Sequence, residues 1–192
     1  MTTFDLIFIF AFLASVVILM ATIVAAIGGR RRSALGRLLG LGVFVSVYLA
    51  VVVAASLTSP QRLLALNEPQ CFDDWCLSVD HVEQAPAGGE VSYAVTLRLF
   101  SRARRRTQRE SGASVYLLDD RGRRYEPLAD PRALPLNARL SPGESLIATR
   151  RFTVPADTPN PGLVIAHGRL PGMFIIGDDQ SLFHKPSVIR FP

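Results

Sequence analysis

Two long apolar runs open the chain, and beyond them apolar residues begin to alternate with polar ones. From Leu6 to Ile27 the sequence reads LIFIFAFLASVVILMATIVAAI, 22 residues with neither a charge nor a proline. At about 1.5 Å per helical residue such a run covers a hydrocarbon core of roughly 30 Å, so the pattern predicts a transmembrane helix. A second uncharged run, LLGLGVFVSVYLAVVVAASL, occupies 38–57, and Pro60 just beyond it disfavours continuing the helix. Ser15, Thr22, Ser46, Tyr48 and Ser56 are the only clearly polar side chains in the two runs, and none ionises readily near neutral pH. A proton or ion pathway usually needs intramembrane carboxylates, histidines or cations, so the pair gives no basis for transport.

After the second run the period changes. VSYAVTLRL places Val91, Tyr93, Val95, Leu97 and Leu99 on one face and Ser92, Ala94, Thr96 and Arg98 on the other, the mark of a half-buried strand. SVYLLDDRGRRYEPL predicts a strand, a turn at Asp120, Arg121 and Gly122, and a return. SLIATRRFTVP, GLVIAHGRL and KPSVIRF supply further strands, and CLSVDHVEQ a first one. In SPGES, Pro142 fixes φ and Gly143 is free to take a positive φ, so the chain reverses and Phe152 and Val154 point to the core. About seven short strands with no amphipathic helical pattern predict an immunoglobulin-like β-sandwich, one without the buried inter-sheet cysteine pair of an antibody domain. PQRLLALNEPQ, bounded by two prolines, reads as a stalk. The expected organisation is a two-helix transmembrane hairpin at 1–59 (spans 6–27 and 38–57, cytoplasmic loop 28–37), a stalk and cysteine loop at 60–75, and a sandwich at 76–192.

The run LSPGESLIATRRFTVP at 140–155, followed by LVIAH at 163–167 and preceded by the long alternating strand and LLDDRGRRY, carries a resemblance. Over residues 76–191 the chain resembles the extracytoplasmic immunoglobulin-like domains of unknown function found in many bacterial surface proteins, which often follow a lipid anchor or a transmembrane helix. The resemblance implies a sandwich in an adhesive or sensory setting and brings no catalytic residues. The architecture is also similar to that of subunit two of the haem-copper oxidases, but the close cysteine, histidine and methionine cluster of that copper centre is missing.

Charge sets the sidedness. GGRRRSALGR, between the apolar runs, carries Arg30, Arg31, Arg32 and Arg37, whereas only Asp5 precedes the first run. Short arginine-rich loops stay cytoplasmic, so both termini and everything beyond Leu57 are expected outside a bacterial cytoplasmic membrane, in a multi-pass topology. The first run lacks the cationic start of a secretory signal. RRRSALGR does precede a run containing the small residues Val53, Ala54 and Ala55, but the intact upstream run argues for a hairpin over a cleaved signal. The formal charge of +5 owes four positives to this loop, and the last 132 residues hold 17 basic and 15 acidic side chains. Most of the basic character therefore reports topology, and nucleic acid is not an expected partner.

Candidate chemistry is sparse. CFDDWC holds the only two cysteines, Cys71 and Cys76, and outside the cytoplasm such a pair closes a small disulfide ring if the backbone turns there. A zinc or copper site remains the alternative, since Cys71, Cys76 and His81 recur every five residues, but no fourth ligand is evident and His167 and His184 stand alone. No serine elbow is present, and the pairs Asp73–Asp74, Asp119–Asp120 and Asp178–Asp179 sit beside turn formers, where aspartate bonds its own backbone. SRARRRTQRESG crowds Arg102, Arg104, Arg105, Arg106 and Arg109 into one loop after the long strand. Two readings are open for it, a solvated hairpin tip and a tip that contacts lipid headgroups, an acidic wall polymer or a partner's carboxylates. The expectation is a non-catalytic, membrane-anchored binding or accessory module for a protein, lipid or envelope-polymer partner, with no cofactor and no metal. The alternative is a subunit of a membrane enzyme or electron-transfer complex whose catalytic residues lie in other chains.

Overall fold

The computed structural model describes residues 3–168 and 172–191 and divides into two compact units. One holds both helices together with residues 172–185, and the other holds residues 61–168 and 186–191. Helix α1 spans Thr3–Ile27 and helix α2 spans Arg31–Thr58, each long and apolar enough to cross a membrane. Their large side chains are bare: Phe10 is 70% exposed and Val43 65%. Buried positions on them are confined to Thr22, Ala25, Ala34, Val52 and Ser56. The hydroxyls of Ser15, Thr22 and Ser56 each donate to the carbonyl four residues back at 2.7–2.8 Å, so these polar groups are satisfied within their own helix.

Helix α1 ends in a paired cap. Arg30 N donates to Ala25 O (2.9 Å), Gly29 N donates to Ala26 O (3.2 Å), and Gly29 takes the left-handed φ of 73° that this cap demands. Because Gly29 already reverses the chain, the expected loop over 28–37 is shorter in fact. Arg30 alone of the four arginines stays in the turn, and Arg31, Arg32 and Arg37 lie on the first two turns of α2. Arg37 donates to Ala21 O of α1 at 2.8 Å, tying the helices together near that end.

The second unit is a β-sandwich. Its strands are β1 (Leu63–Leu64), β2 (Gln70–Phe72), β3 (Trp75–Ala87), β4 (Glu90–Ser101), β5 (Ser114–Leu118), β6 (Arg124–Tyr125), β7 (Ser145–Pro155), β8 (Gly162–Ala166) and β9 (Val188–Arg190). One sheet runs β1-β9-β8-β5-β6 and the other β2-β3-β4-β7. All neighbours are antiparallel except β1 and β9, where Leu63 lies opposite Val188 in a parallel pair. Alternation fills the space between the sheets: Tyr93, Val95, Leu97 and Leu99 of β4 and Phe152 and Val154 of β7 join Val115, Leu117, Leu163 and Ile189 of the other sheet in one core. A bulge between Val79 and His81 shifts the parity of β3, so Leu77 and Val79 enter the core before it and Val82 packs against the core after it.

Three expectations change here. The stretch read as a stalk is part of the sandwich: Leu63–Leu64 is an edge strand, with Leu64 buried in the core and Leu63 facing outward. The arginine-rich segment is no hairpin tip, because β4 and β5 belong to different sheets and residues 102–113 cross between them. The expected sandwich boundary at 76–192 includes residues 172–185, which cluster with the helices instead. Of the strand expected over GLVIAHGRL, β8 keeps Gly162–Ala166, and Arg169 and Leu170 lie outside the described residues.

Candidate functional site: a basic cleft beside a disulfide hairpin

Strands β2 and β3 form a tight hairpin whose two turn residues are Asp73 and Asp74, with Asp73 at φ 54°. Aspartate tolerates that conformation better than most residues, which is one reason the chain can reverse there. Cys71 and Cys76 face each other directly across the hairpin and are joined by a disulfide of 2.04 Å. With both sulfurs in that bond, no thiolate remains for the metal alternative. Phe72 and Trp75 flank the turn, stacked at 6.0 Å between ring centroids. Trp75 is buried in the core and Phe72 packs against it.

The hairpin turn meets the start of the β4–β5 crossover. Arg102 N donates to Asp74 O at 2.8 Å, and one residue earlier Ser101 N donates to Glu144 O at 3.0 Å. That second contact brings in the reversal Ser141–Glu144, where Gly143 takes φ 74° and the Glu144 carboxylate accepts from Ser141 N at 2.7 Å. Further on, Gln108 and Leu140 exchange backbone hydrogen bonds of 2.8 and 2.9 Å, so the crossover is held at both ends. Between these ties the chain bends outward. Asp74, Arg102, Ala103, Arg104, Arg105, Arg106 and Gln108 line an open cleft of about 500 Å³.

Of the five arginines singled out from the sequence, four line this cleft. Arg109 departs from them, its Nε donating to Asn137 O at 3.0 Å. Arg102 also lies over the Phe100 ring, 5.6 Å from its centroid. Four guanidiniums against the single carboxylate of Asp74 make a concave positive surface. Planar, multidentate donors of this kind suit phosphate and carboxylate oxygens.

At the far end of the crossover the structure joins residues that the sequence left separate. His167 Nδ1 lies 4.0 Å from Glu110 Oε1, and the imidazole packs on Phe72 at 3.9 Å between centroids. Burial pushes the Glu110 carboxyl above its usual value; His167 pulls it back and the Asp73 carboxylate adds to the rise. No spacing in the sequence points to this pair, because β8 brings His167 alongside only through its pairing with β5. His81 pairs loosely with Glu83 at 3.7 Å on an exposed stretch of β3.

The acid pairs are structural where they can be followed. Asp119 accepts from Arg121 N, Arg123 N and Arg123 Nε at 2.7–2.9 Å and locks the β5–β6 turn. Asp120 accepts from Asn160 Nδ2 at 2.6 Å and from Arg190 at 2.8 Å. A second cleft of about 420 Å³, lined by Gln84, Tyr93, Asn160, Pro161, Arg190 and Phe191, is less suited to an anion because Asp120 already occupies its arginine. Asp178 accepts from Gln180 N at 2.7 Å in a turn of the helical unit.

No family model matches the sequence, and no curated protein matches it. Solved structures similar to part of the chain include a conserved hypothetical protein from Bacillus anthracis, at 16% identity over 53% of this chain and 88% of that one, with a TM-score of 0.42. An uncharacterised β-sandwich protein from Clostridium difficile is 10% identical over 70% of this chain and 96% of its own, with a TM-score of 0.43. A secreted protein from Mycobacterium tuberculosis is 14% identical over 58% and 93%, with a TM-score of 0.44.

Proposed function

We propose that the chain is a membrane-anchored accessory module that grips an anionic envelope partner through the arginine cleft of an immunoglobulin-like sandwich. In this reading α1 and α2 span the bacterial cytoplasmic membrane, with Arg30, Arg31, Arg32 and Arg37 on the cytoplasmic side and the sandwich outside. The observation that carries the proposal is the convergence of Arg102, Arg104, Arg105 and Arg106 on one cleft, supported from beneath by the disulfide hairpin. Strand order supports the immunoglobulin-like assignment: β9-β8-β5 opposite β3-β4-β7 matches the G-F-C and A-B-E strands of that sandwich. The bare apolar flanks of both helices, incompatible with water over such a length, support the spans.

The test is to change Arg102, Arg104, Arg105 and Arg106 to glutamine in the full chain and measure association with vesicles of anionic lipid and, separately, with an anionic wall polymer. Whichever source supplies the oxyanions, wild-type binding should weaken steeply as salt rises, because exposed charges are screened beyond about 8 Å at physiological ionic strength. The variant should bind at least about tenfold more weakly, a loss of about 1.4 kcal/mol, with a shallower salt response. Equal binding and equal salt dependence in the two proteins would remove the cleft from the reading.

A further inference from the structure

The two sheets of the sandwich differ in length. Strands β3 and β4 run 13 and 12 residues and turn at Gly88 and Gly89, both at positive φ, whereas β5 and β8, the longest strands of the other sheet, have 5 each. The β3–β4 hairpin therefore extends past the shorter sheet, at the end away from Ser101 and the arginine crossover. Beyond the bulge, alternation turns Val82 and Gln84 toward the opposite sheet, with Val82 opposite Val95 and Gln84 opposite Tyr93. Facing them, Asn160 and Pro161 lead into β8 while Arg190 and Phe191 close β9, and Gly162 pairs with Arg190. The mouth between the sheets is the cleft of about 420 Å³, a volume within the range of small-molecule sites.

The charges at this mouth are matched to one another. Arg190 donates through Nη1 to Asn160 O at 2.6 Å and through Nη2 to Asp120 Oδ1 at 2.8 Å, and Asn160 Nδ2 donates to Asp120 Oδ2 at 2.6 Å. The neutral polar groups are not. Gln84 is exposed and bonds to no described residue, and the same holds for Asn160 Oδ1. Tyr93 is only 6% exposed, yet its hydroxyl keeps contact with solvent and also bonds to no described residue. Its ring lies beside Phe191, 5.5 Å between centroids and tilted by 30°. Burial pushes the Tyr93 phenol above its usual value, so the hydroxyl stays protonated and can both donate and accept.

We infer that this cleft binds a neutral pyranose sugar. Such a ring carries hydroxyls around its edge that donate and accept, and its faces present C–H bonds polarised by the neighbouring oxygens. The edge suits Gln84, Asn160 Oδ1 and the Tyr93 hydroxyl, and a face suits the electron-rich surface of Phe191. An anion would need the guanidinium that Asp120 holds. A wholly apolar ligand would cover the same polar groups and leave them unpaired, at the cost of their hydrogen bonds to water. The site lies at the other end of the β3–β4 ladder from the arginine cleft and is independent of it.

The test uses the full chain in lipid nanodiscs free of sugar detergent. The probes are the methyl glycosides of glucose, galactose, mannose and N-acetylglucosamine, with the charged methyl glucuronide as a fifth. Saturation-transfer NMR should detect at least one neutral glycoside, with a Kd on the order of 1 mM by titration. Its affinity should be the same at about 0.05 and about 0.5 M salt, because no net charge takes part. Tyr93→Phe removes a hydroxyl and keeps the ring, and Gln84→Ala truncates an exposed side chain. Each should weaken binding by about three- to tenfold while the urea midpoint moves little. Binding of none of the neutral glycosides overturns the inference. Full retention of binding in both variants also overturns it, by placing the sugar elsewhere. Tighter, salt-sensitive binding of the glucuronide does so too, by making the ligand an anion.

Discussion

The carboxylate of Asp119 has no exposed side-chain surface, yet it accepts two backbone amides, the Arg123 guanidinium and, at 3.3 Å, the Tyr125 hydroxyl. Burial alone would raise its pKa; the hydrogen bonds and charge of Arg123, with the Arg121 amide, outweigh burial and hold it below the usual carboxylate value. A carboxyl lowered on folding contributes stability that is present above its unfolded value of 3.8 and is lost as pH falls through its folded value. Asp119→Ala should therefore cost about 2–4 kcal/mol in urea unfolding at neutral pH, because it leaves buried amides unpaired. Its loss of stability in acid below pH 4 should be shallower than that of the wild type, and an identical acid profile would show that this carboxylate carries no linkage. The turn and the backbone-bonding role of Asp119 are legible in the sequence, but its burial and its pairing with Arg123 are not, since they depend on how β5 sits in its sheet.

The β2–β3 hairpin closes its covalent ring within six residues, and β3 is held independently by its long ladder with β4. A loop so short confers only about 2 kcal/mol by chain entropy. Replacing both Cys71 and Cys76 by serine should leave the sandwich folded, with a lower urea midpoint and an unchanged slope. Loss of the cooperative transition would mean that the hairpin does more than pin a turn. At this scale much of the sandwich was legible: the alternation in β4 and the stretch SLIATRRFTVP predict strands that form where expected, because one buried face imposes period two on many consecutive residues. β1 and β2 were not legible. Two or three residues carry no period, and Leu63 finds its partner Val188 across nearly the whole domain. The arginine cluster stood out by composition, but its separation into four cleft residues and Arg109 depends on Asn137, supplied by a distant connection.

Across the whole molecule, the arginines at one end of the helical pair and the exposed apolar flanks between predict sidedness. Protease added to cells stripped of outer layers should digest sites after Pro60 and spare the segment Arg30–Arg37, as read by mass spectrometry of the retained peptides. Protection of the sandwich under those conditions would invert the topology. The parallel pairing of β1 with β9 bears on how such a molecule is made. The first strand after the helices pairs only with Val188 and Ile189, in the last strand of the sandwich. A chain delivered from its N-terminus therefore cannot pair β1 until Val188 and Ile189 have been synthesised. Until then Leu64 lacks its sheet partner, so the edge of this sheet closes after the β3-β4-β7 ladders of the opposite sheet can already have formed.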